Sequence, residues 1–386
     1  MPHQQSSLPL RNRHYDAVIV GSGPNGLAAA TVIARTGRTV LVIEGAETIG
    51  GGMRSAELTL PGFIHDVCAA ILPLTASSPY LNTLPLSSYG LSWIEPPIAL
   101  AHPLDDGSAA LLLRSVNETA KGLGCDAEAY RRLMKPIAAD WSKLVPAILG
   151  PLRLPRHPIA LARFGLYAIR SAAGLVKSLF KGERARALFA GIAAHSMLPL
   201  ERPPSAAFGL LLGAAAHAVG WPLARGGTQK LADAMVEYLR SLSGEIITGF
   251  FVQSIEQLPA ASAILCDITP RQLLRMAGKS LPEDYARRMA YYYRYGPGVF
   301  KVDWALDGPI PWRAAEVRPR RYGPCRRHLR GRLQQPSERA VWQGEHPRHP
   351  FVLLAQQSLF DETRRPYRET HGLGLLPLCQ AAQASI

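Results

Sequence analysis

The segment Tyr15 to Glu44, YDAVIVGSGPNGLAAATVIARTGRTVLVIE, restricts what this chain can fold into more than any other feature. The apolar run Ala17 to Val20 reads as a buried strand, and it leads into Gly21, Gly23 and Gly26 at G-x-G-x-x-G spacing. Leu27 to Ala34 continues as a small-residue helix, and Thr39 to Ile43 is a second strand that delivers Glu44. Each glycine has a mechanical reason. Gly21 makes the tight turn off the strand, Gly23 lets backbone approach a pyrophosphate, and Gly26 lets the helix pack closely on the sheet. Pro24 and Asn25 complete the turn and count with the glycines as candidate cofactor contacts. The helix N-terminus offers unsatisfied N–H groups and partial positive charge to phosphates. Glu44 is placed where a carboxylate accepts hydrogen bonds from a ribose diol. A plain βαβ unit is the bland alternative, but strand, glycines, helix, strand and acid in register specify a dinucleotide.

Gly50, Gly51 and Gly52 follow the acid closely, then Met53 and Arg54. A second glycine cluster there lets the chain pass close to the pyrophosphate and ribityl region of a larger cofactor, with Arg54 reaching phosphate or flavin. An ordinary turn explains the same residues less fully. The fingerprint begins after only a short polar arm, a layout that resembles FAD-binding chains such as amine oxidases and phytoene desaturases and so implies FAD over NAD(P).

Beyond the fingerprint, three stretches resemble bacterial phytoene dehydrogenase-like FAD-dependent oxidoreductases. They are GGGMRSAELTLPGFIHDVCAAILPL (Gly50 to Leu74), ARGGTQKLADAMVEYLRSLSGEIITG (Ala224 to Gly249) and YGPGVFKVDWALDGPIPW (Tyr295 to Trp312). The resemblance runs from Tyr15 to about Arg313 and returns over Ser337 to Arg364. It implies bound FAD, a two-part architecture, and dehydrogenation or isomerisation of a lipophilic, isoprenoid- or carotenoid-type substrate. It also implies that the backbone around Val252 approaches the adenine. The candidate cofactor residues are therefore Gly21, Gly23, Pro24, Asn25, Gly26, Glu44, Gly51, Gly52, Arg54 and Val252. No metal site is expected.

The expected fold is α/β: a Rossmann-like FAD-binding domain, a parallel sheet with helices, interleaved with a helical and antiparallel-sheet substrate domain. Residues 15–74 form the first FAD-binding part, 75–222 a helical, proline-broken cap, and 223–270 the second FAD-binding part. Residues 271–364 supply the substrate-domain sheet with a disordered basic insert over 317–335, and 365–386 form a disordered tail. Within this scheme Phe250 to Ile255 and Ala261 to Asp267 read as strands, the second buried. Tyr291 to Leu306 brings aromatics by default into the core.

Five scattered cysteines without a C-x-x-C pair disfavour both a disulfide framework and a zinc site. The same cysteine pattern leads us to expect a reducing cytoplasm, and the polar N-terminal arm lacks an apolar h-region, so no secretory signal is expected. Ala206 to Leu223 is uncharged but short and weakly hydrophobic for a span, and a buried helix lining a pocket is the better account. Leu161 to Lys181 alternates apolar residues with Arg163, Arg170, Lys177 and Lys181, a pattern compatible with peripheral membrane contact.

The formal charge of +14 is unevenly spread. Val317 to Gln335 holds seven arginines and no acid, and Arg364 to His371 adds three arginines against Glu369. These stretches carry +9, and both interrupt the resemblance. Read one base late, degenerate codons there can spell strand-and-turn sequences typical of the resembled family. We therefore expect frameshifts near Glu316, Pro336 and Arg364, and a chain ending at Ile386 without the C-terminal segment that closes the FAD site in that family. Resequencing the locus tests this. An RNA-binding insert would want interleaved aromatics, and only Tyr322 and His328 are at hand, so no nucleic-acid partner is expected.

No hydrolase constellation is present: G-x-S-x-G is absent. His65 and Asp66 are adjacent on a strand and face opposite ways. His195 and His217 read as satisfied core histidines. Lys301 and Asp303 share a strand face and pair. No catalytic side chain is assigned. The partner is a hydrophobic small molecule. An amine-oxidase-type flavoenzyme and an inactive, frameshifted product that keeps only the dinucleotide fold are the competing readings.

Overall fold

The computed structural model describes residues 13–296, 298–317, 351–366 and 371–378. Its parallel sheet has four strands in the spatial order Ala260–Cys266, His14–Val20, Val40–Ile43, Glu245–Ile247. The strand off which the glycine turn runs is interior, pairing Val20 with Ile43 on one side and with Cys266 on the other. Both interior strands are buried on both faces, which explains their unbroken apolar runs. The helix Pro24–Ala34 starts on a proline at its first turn, where the missing N–H is not needed, and buries Leu27, Ala30 and Ala34. A second helix, Gln229–Ser241, turns Leu231, Met235 and Leu239 inward at four-residue spacing and packs beside the first.

Between these segments sits a helical domain with its own core. The helix Ser205–Ala218 lies at its centre, contacted by Ala127–Ala139, Pro158–Ala168, Ala172–Leu179 and Glu183–Ala193. It is apolar on nearly every side because it is buried on nearly every side, and Trp221 Nε1 donates to Leu212 O at 3.1 Å. It occupies the core of this domain. Among the described residues no single helix is long and apolar enough to cross a membrane. The stretch from Leu161 to Lys181 is not one amphipathic helix. It divides into Pro158–Ala168 and Ala172–Leu179, bent by 94°.

A second, antiparallel sheet has the order Val302–Leu306, His371–Leu378, Phe351–Ala355. His371–Leu378 falls within the expected disordered tail. It is instead the central strand: its first five residues pair with Val302–Leu306 and its last five with Phe351–Ala355. Val317, at the head of the expected disordered basic insert, is buried beside Trp312 and Leu354. The rest of that insert, 318–335, lies outside the described residues.

Three smaller expectations also change. Among the described residues Phe250 to Ile255 pairs with no strand; instead Phe250 N donates to Glu44 O at 3.0 Å and a short 3-10 turn begins at Ile255. Ala260–Cys266 is half exposed because it is the sheet edge. Tyr291, Tyr292, Tyr295 and Phe300 are exposed rather than in the core.

Candidate dinucleotide site

At the C-terminal ends of the parallel strands the chain encloses a cavity of about 830 Å³. This is where an open α/β sheet binds ligands. Gly21, Gly23, Pro24, Glu44, Gly51, Gly52 and Val252 lie in its wall. Asn25 and Arg54 do not. Asn25 is exposed at the second position of the helix, and Arg54 Nε donates to Gly51 O at 3.1 Å, fastening the second glycine turn. Gly26 sits behind the wall, where a Cβ would overlap Gly21 O. That is the close helix–sheet packing expected of it.

The two glycine turns meet. Gly51 has a φ of 54°, and a Cβ there would stand 3.0 Å from Gly23 Cα. Gly50 adopts a φ of 110° and donates from its N–H to Ser22 Oγ at 3.1 Å. Ser22 is fully buried and its hydroxyl donates to Glu44 Oε2 at 2.5 Å, while Ser22 N donates to the same oxygen at 2.9 Å. Ala46 N donates to Glu44 Oε1 at 2.9 Å. Burial pushes the Glu44 carboxyl up, but the bonds from Ser22 and Ala46, with Arg54 nearby, outweigh it and hold the group below the usual carboxylate range. Glu44 is thus an ionised acceptor, half-buried at the cavity wall.

Among the wall residues that sequence reasoning missed are three from far downstream. Asp267 accepts from Gly26 N at 2.9 Å and occupies the helix N-terminus with a carboxylate. Phe251 covers Gly45, where a Cβ would lie 3.0 Å from its ring. Arg275, from the helix Pro270–Ala277, brings a cation to the wall. The spacing of the fingerprint carries no signal for these, because all three come from more than two hundred residues downstream.

A second polar cluster adjoins this wall. Ala69 N donates to Gly52 O at 3.0 Å, and Cys68 and Ala69 line a small cavity of about 150 Å³ with His65 and Lys301. His65 Nε2 meets Thr59 Oγ1 at 2.7 Å, its Nδ1 is 3.5 Å from Asp303, and Asp303 pairs with Lys301. Burial depresses the His65 pKa against the raising effect of Asp303. Asp66 faces the other way. It accepts from Thr228 N and Oγ1 and from Arg364 Nη1 at 2.6 Å; Arg364 Nε reaches Asp361 at 2.9 Å, and all three charged groups are buried. This network ties the first dinucleotide segment to the second and to the connection between two strands of the antiparallel sheet. His217 is a satisfied core histidine: Nδ1 donates to Arg114 O, so the neutral ring accepts at Nε2 from Tyr130 OH. His195 lies edge-on to Trp221 with Nδ1 3.0 Å from Ile192 O.

Fold and wall together define a mixed α/β protein with a Rossmann-like, dinucleotide-binding domain. The family model for NAD(P)-binding Rossmann-like domains matches residues 19–84. A limonene dehydrogenase chain of Castellaniella defragrans is 28% identical over 142 residues, 35% of this chain and 25% of that one. The chain therefore spans only about a quarter of that relative. Pyridine nucleotide-disulfide oxidoreductase domain-containing protein 2 of Rattus norvegicus is 24% identical across 91% of this chain and 71% of its own length. Among solved structures, the PF1083 protein of Pyrococcus furiosus superposes with a TM-score of 0.61 at 16% identity, covering 95% of this chain and 80% of its own. Wild-type putrescine oxidase bound to putrescine gives 0.56 at 17% identity, covering 95% and 76%. At such identities the structural likeness establishes the fold.

Proposed function

We propose that this chain binds FAD and is an oxidoreductase that dehydrogenates or isomerises a hydrophobic, isoprenoid- or carotenoid-type substrate. The observation that carries the reading is the contact between the two glycine turns: Gly51 stands against Gly23 with no room for a side chain. A fingerprint alone serves NAD(P) equally well. A second glycine turn in van der Waals contact with the first extends the wall along the pyrophosphate toward a longer cofactor. The residues fit that group: Gly23 and Gly51 leave bare backbone, Glu44 accepts from the ribose, and Val252 and Phe251 offer an apolar flank for an adenine.

FAD, when bound, supplies the hydride acceptor. The chain's own residues hold and orient it, and the Ser22–Glu44 bonds keep the ribose acceptor charged and in place. The name of the limonene dehydrogenase relative supports a terpenoid-type substrate for this chain. An amine oxidase is the second reading, and the putrescine oxidase likeness favours it at the level of fold alone.

The visible spectrum of the purified chain tests the cofactor. Bands of oxidised flavin that disappear in Gly23→Val support the proposal, and a folded, colourless protein defeats it. Anaerobic bleaching by a terpenoid hydrocarbon, and not by a primary amine, separates the two substrate classes.

A further inference from the structure

From Trp141 to Gly182 the chain contains no Asp or Glu and seven Lys or Arg. Asp140, just before it, takes up Lys143 at 2.8 Å and Arg163 at 2.7 Å, and Arg170 bonds Ser178 Oγ and Gly174 O. Arg153 and Arg156 stand in the loop that follows, with no ion pair among the described residues. The same loop and the helix after it expose large apolar side chains. Leu152 is 102% and Leu154 92% exposed, Ile159 77%, and Leu166 and Ile169 69% each.

The helix Pro158–Ala168 accounts for this pattern. Ala160, Phe164 and Ala168 form its buried face at four-residue spacing. Ile159, Ala162, Leu166 and Ile169 recur at three- and four-residue spacing on the opposite, outward face. A helix on a protein surface normally turns polar residues outward. This one is apolar on both sides and has a protruding, leucine-bearing loop at its start. Contiguous apolar surface rimmed by charge marks an interaction site.

We infer that this face docks on an anionic lipid bilayer. Leu152, Leu154, Ile159, Leu166 and Ile169 enter the boundary between headgroups and acyl chains, and Arg153 and Arg156 remain among the headgroup phosphates. Charge complementarity selects the occupant. Self-association through this face brings two acid-free basic patches together, which is unfavourable, whereas an anionic lipid surface attracts each Lys or Arg near it. The inference does not depend on the oxidoreductase reading: a chain that holds no flavin still tests it.

Flotation of the purified full chain with vesicles decides the matter. Phosphatidylcholine vesicles containing phosphatidylglycerol carry the chain up, and high salt weakens the association. Arg153→Gln with Arg156→Gln lowers the anionic-vesicle partition by about thirtyfold, at a few-fold per charge. Leu152→Ser, Leu154→Ser and Ile159→Ser together lower it by about a hundredfold. These side chains are solvated in the free protein, so the urea midpoint of both variants stays at the wild-type value. The inference is overturned if wild type does not float with these vesicles, or if the triple variant floats as wild type does. It is equally overturned if the chain is a dimer in solution that the triple substitution dissociates.

Discussion

Replacing Gly23 with alanine separates two reasons for a glycine at that position. Its backbone, φ −66° and ψ 176°, is open to any residue, so left-handed strain plays no part. The added Cβ instead overlaps Asp267 Oδ2, which is the acceptor for Gly26 N at 2.9 Å. The carboxylate must swing away and the bond is lost. A partly buried hydrogen bond to a charged group contributes about 1.5–3 kcal/mol, so protection of the fingerprint amides should fall by roughly ten- to a hundredfold. Hydrogen exchange on peptides covering Ser22 to Ala30 reads this directly. Asp267→Ala removes the same bond, and the Gly23→Ala/Asp267→Ala double variant should then cost no more than Asp267→Ala alone. The coupling is about the value of the shared bond. Dinucleotide binding reports the other reason. In the double variant the clash inside the protein is gone, yet the Cβ still fills the space into which backbone and pyrophosphate must approach. Binding should remain lost. If the double variant binds FAD as well as Asp267→Ala does, the glycine serves only Asp267 and the pyrophosphate argument is refuted.

Three other outcomes follow from the geometry. Arg364→Met leaves Asp66 and Asp361 buried without a cation and should lower unfolding free energy by about 3–5 kcal/mol in urea; Arg364→Lys should not restore it, because three nitrogens of the guanidinium serve three separate partners. Burial, with His195 adding to it, holds the fully buried His102 at a pKa of about 3, so the folded state keeps the neutral ring while the unfolded chain protonates near the ordinary value. Stability is therefore complete above about pH 6.5 and falls by roughly 1.4 kcal/mol per unit as the pH drops toward 3. His102→Leu should flatten that acid limb in a pH series of urea midpoints, and an unchanged limb shows that other groups govern it. Asp267→Asn keeps an acceptor for Gly26 N but removes a negative charge from beside the phosphate position. FAD affinity should rise about fivefold at low salt, and weaker binding in a fluorescence titration counts against a pyrophosphate there.

Local segments of the site are legible in the sequence, and residues brought in from far along the chain are not. Gly21, Gly23, Gly26 and Glu44 sit within one strand–helix–strand unit, where spacing alone dictates position. Asp267 is 241 residues from the Gly26 amide it accepts from, and no periodicity connects them. Ser22 gives no signal because a serine between glycines looks like turn chemistry; its burial follows from the second glycine turn folding over it. Phe250 to Ile255 alternates like a strand, but the backbone is held by Glu44 O, and Phe251 is spent covering Gly45. Arg54 follows three glycines, which is why its sequence position points to the cofactor. Its guanidinium instead donates to Gly51 O, which also accepts from Arg54 N within the turn. The exposed aromatics of Tyr291 to Phe300 show the converse error, since aromatic content brings no burial without a partner surface to bury against.

The order of the parallel sheet also explains why the buried Asp66–Arg364 pair lies where it does. Its two interior strands are complete by Ile43, but both outer strands, Glu245–Ile247 and Ala260–Cys266, arrive after about two hundred inserted residues. Closing that loop as a random chain costs entropy that grows with the logarithm of its length, and non-local parallel pairing is slow for the same reason. The insert has its own core around Ser205–Ala218, so once it folds its ends are held close and the effective loop is short. What remains is to hold the returning chain in register. Thr228 N and Oγ1, at the start of the returning helix, bond to Asp66 from the first segment, and Arg364 bonds both Asp66 and Ala224 O. A buried ion pair adds little net stability over an apolar replacement, but it tolerates only one arrangement of its partners. Placed at the seam where two distant segments must align, it fixes the register on which the cavity wall of Gly23, Glu44, Gly51 and Val252 depends.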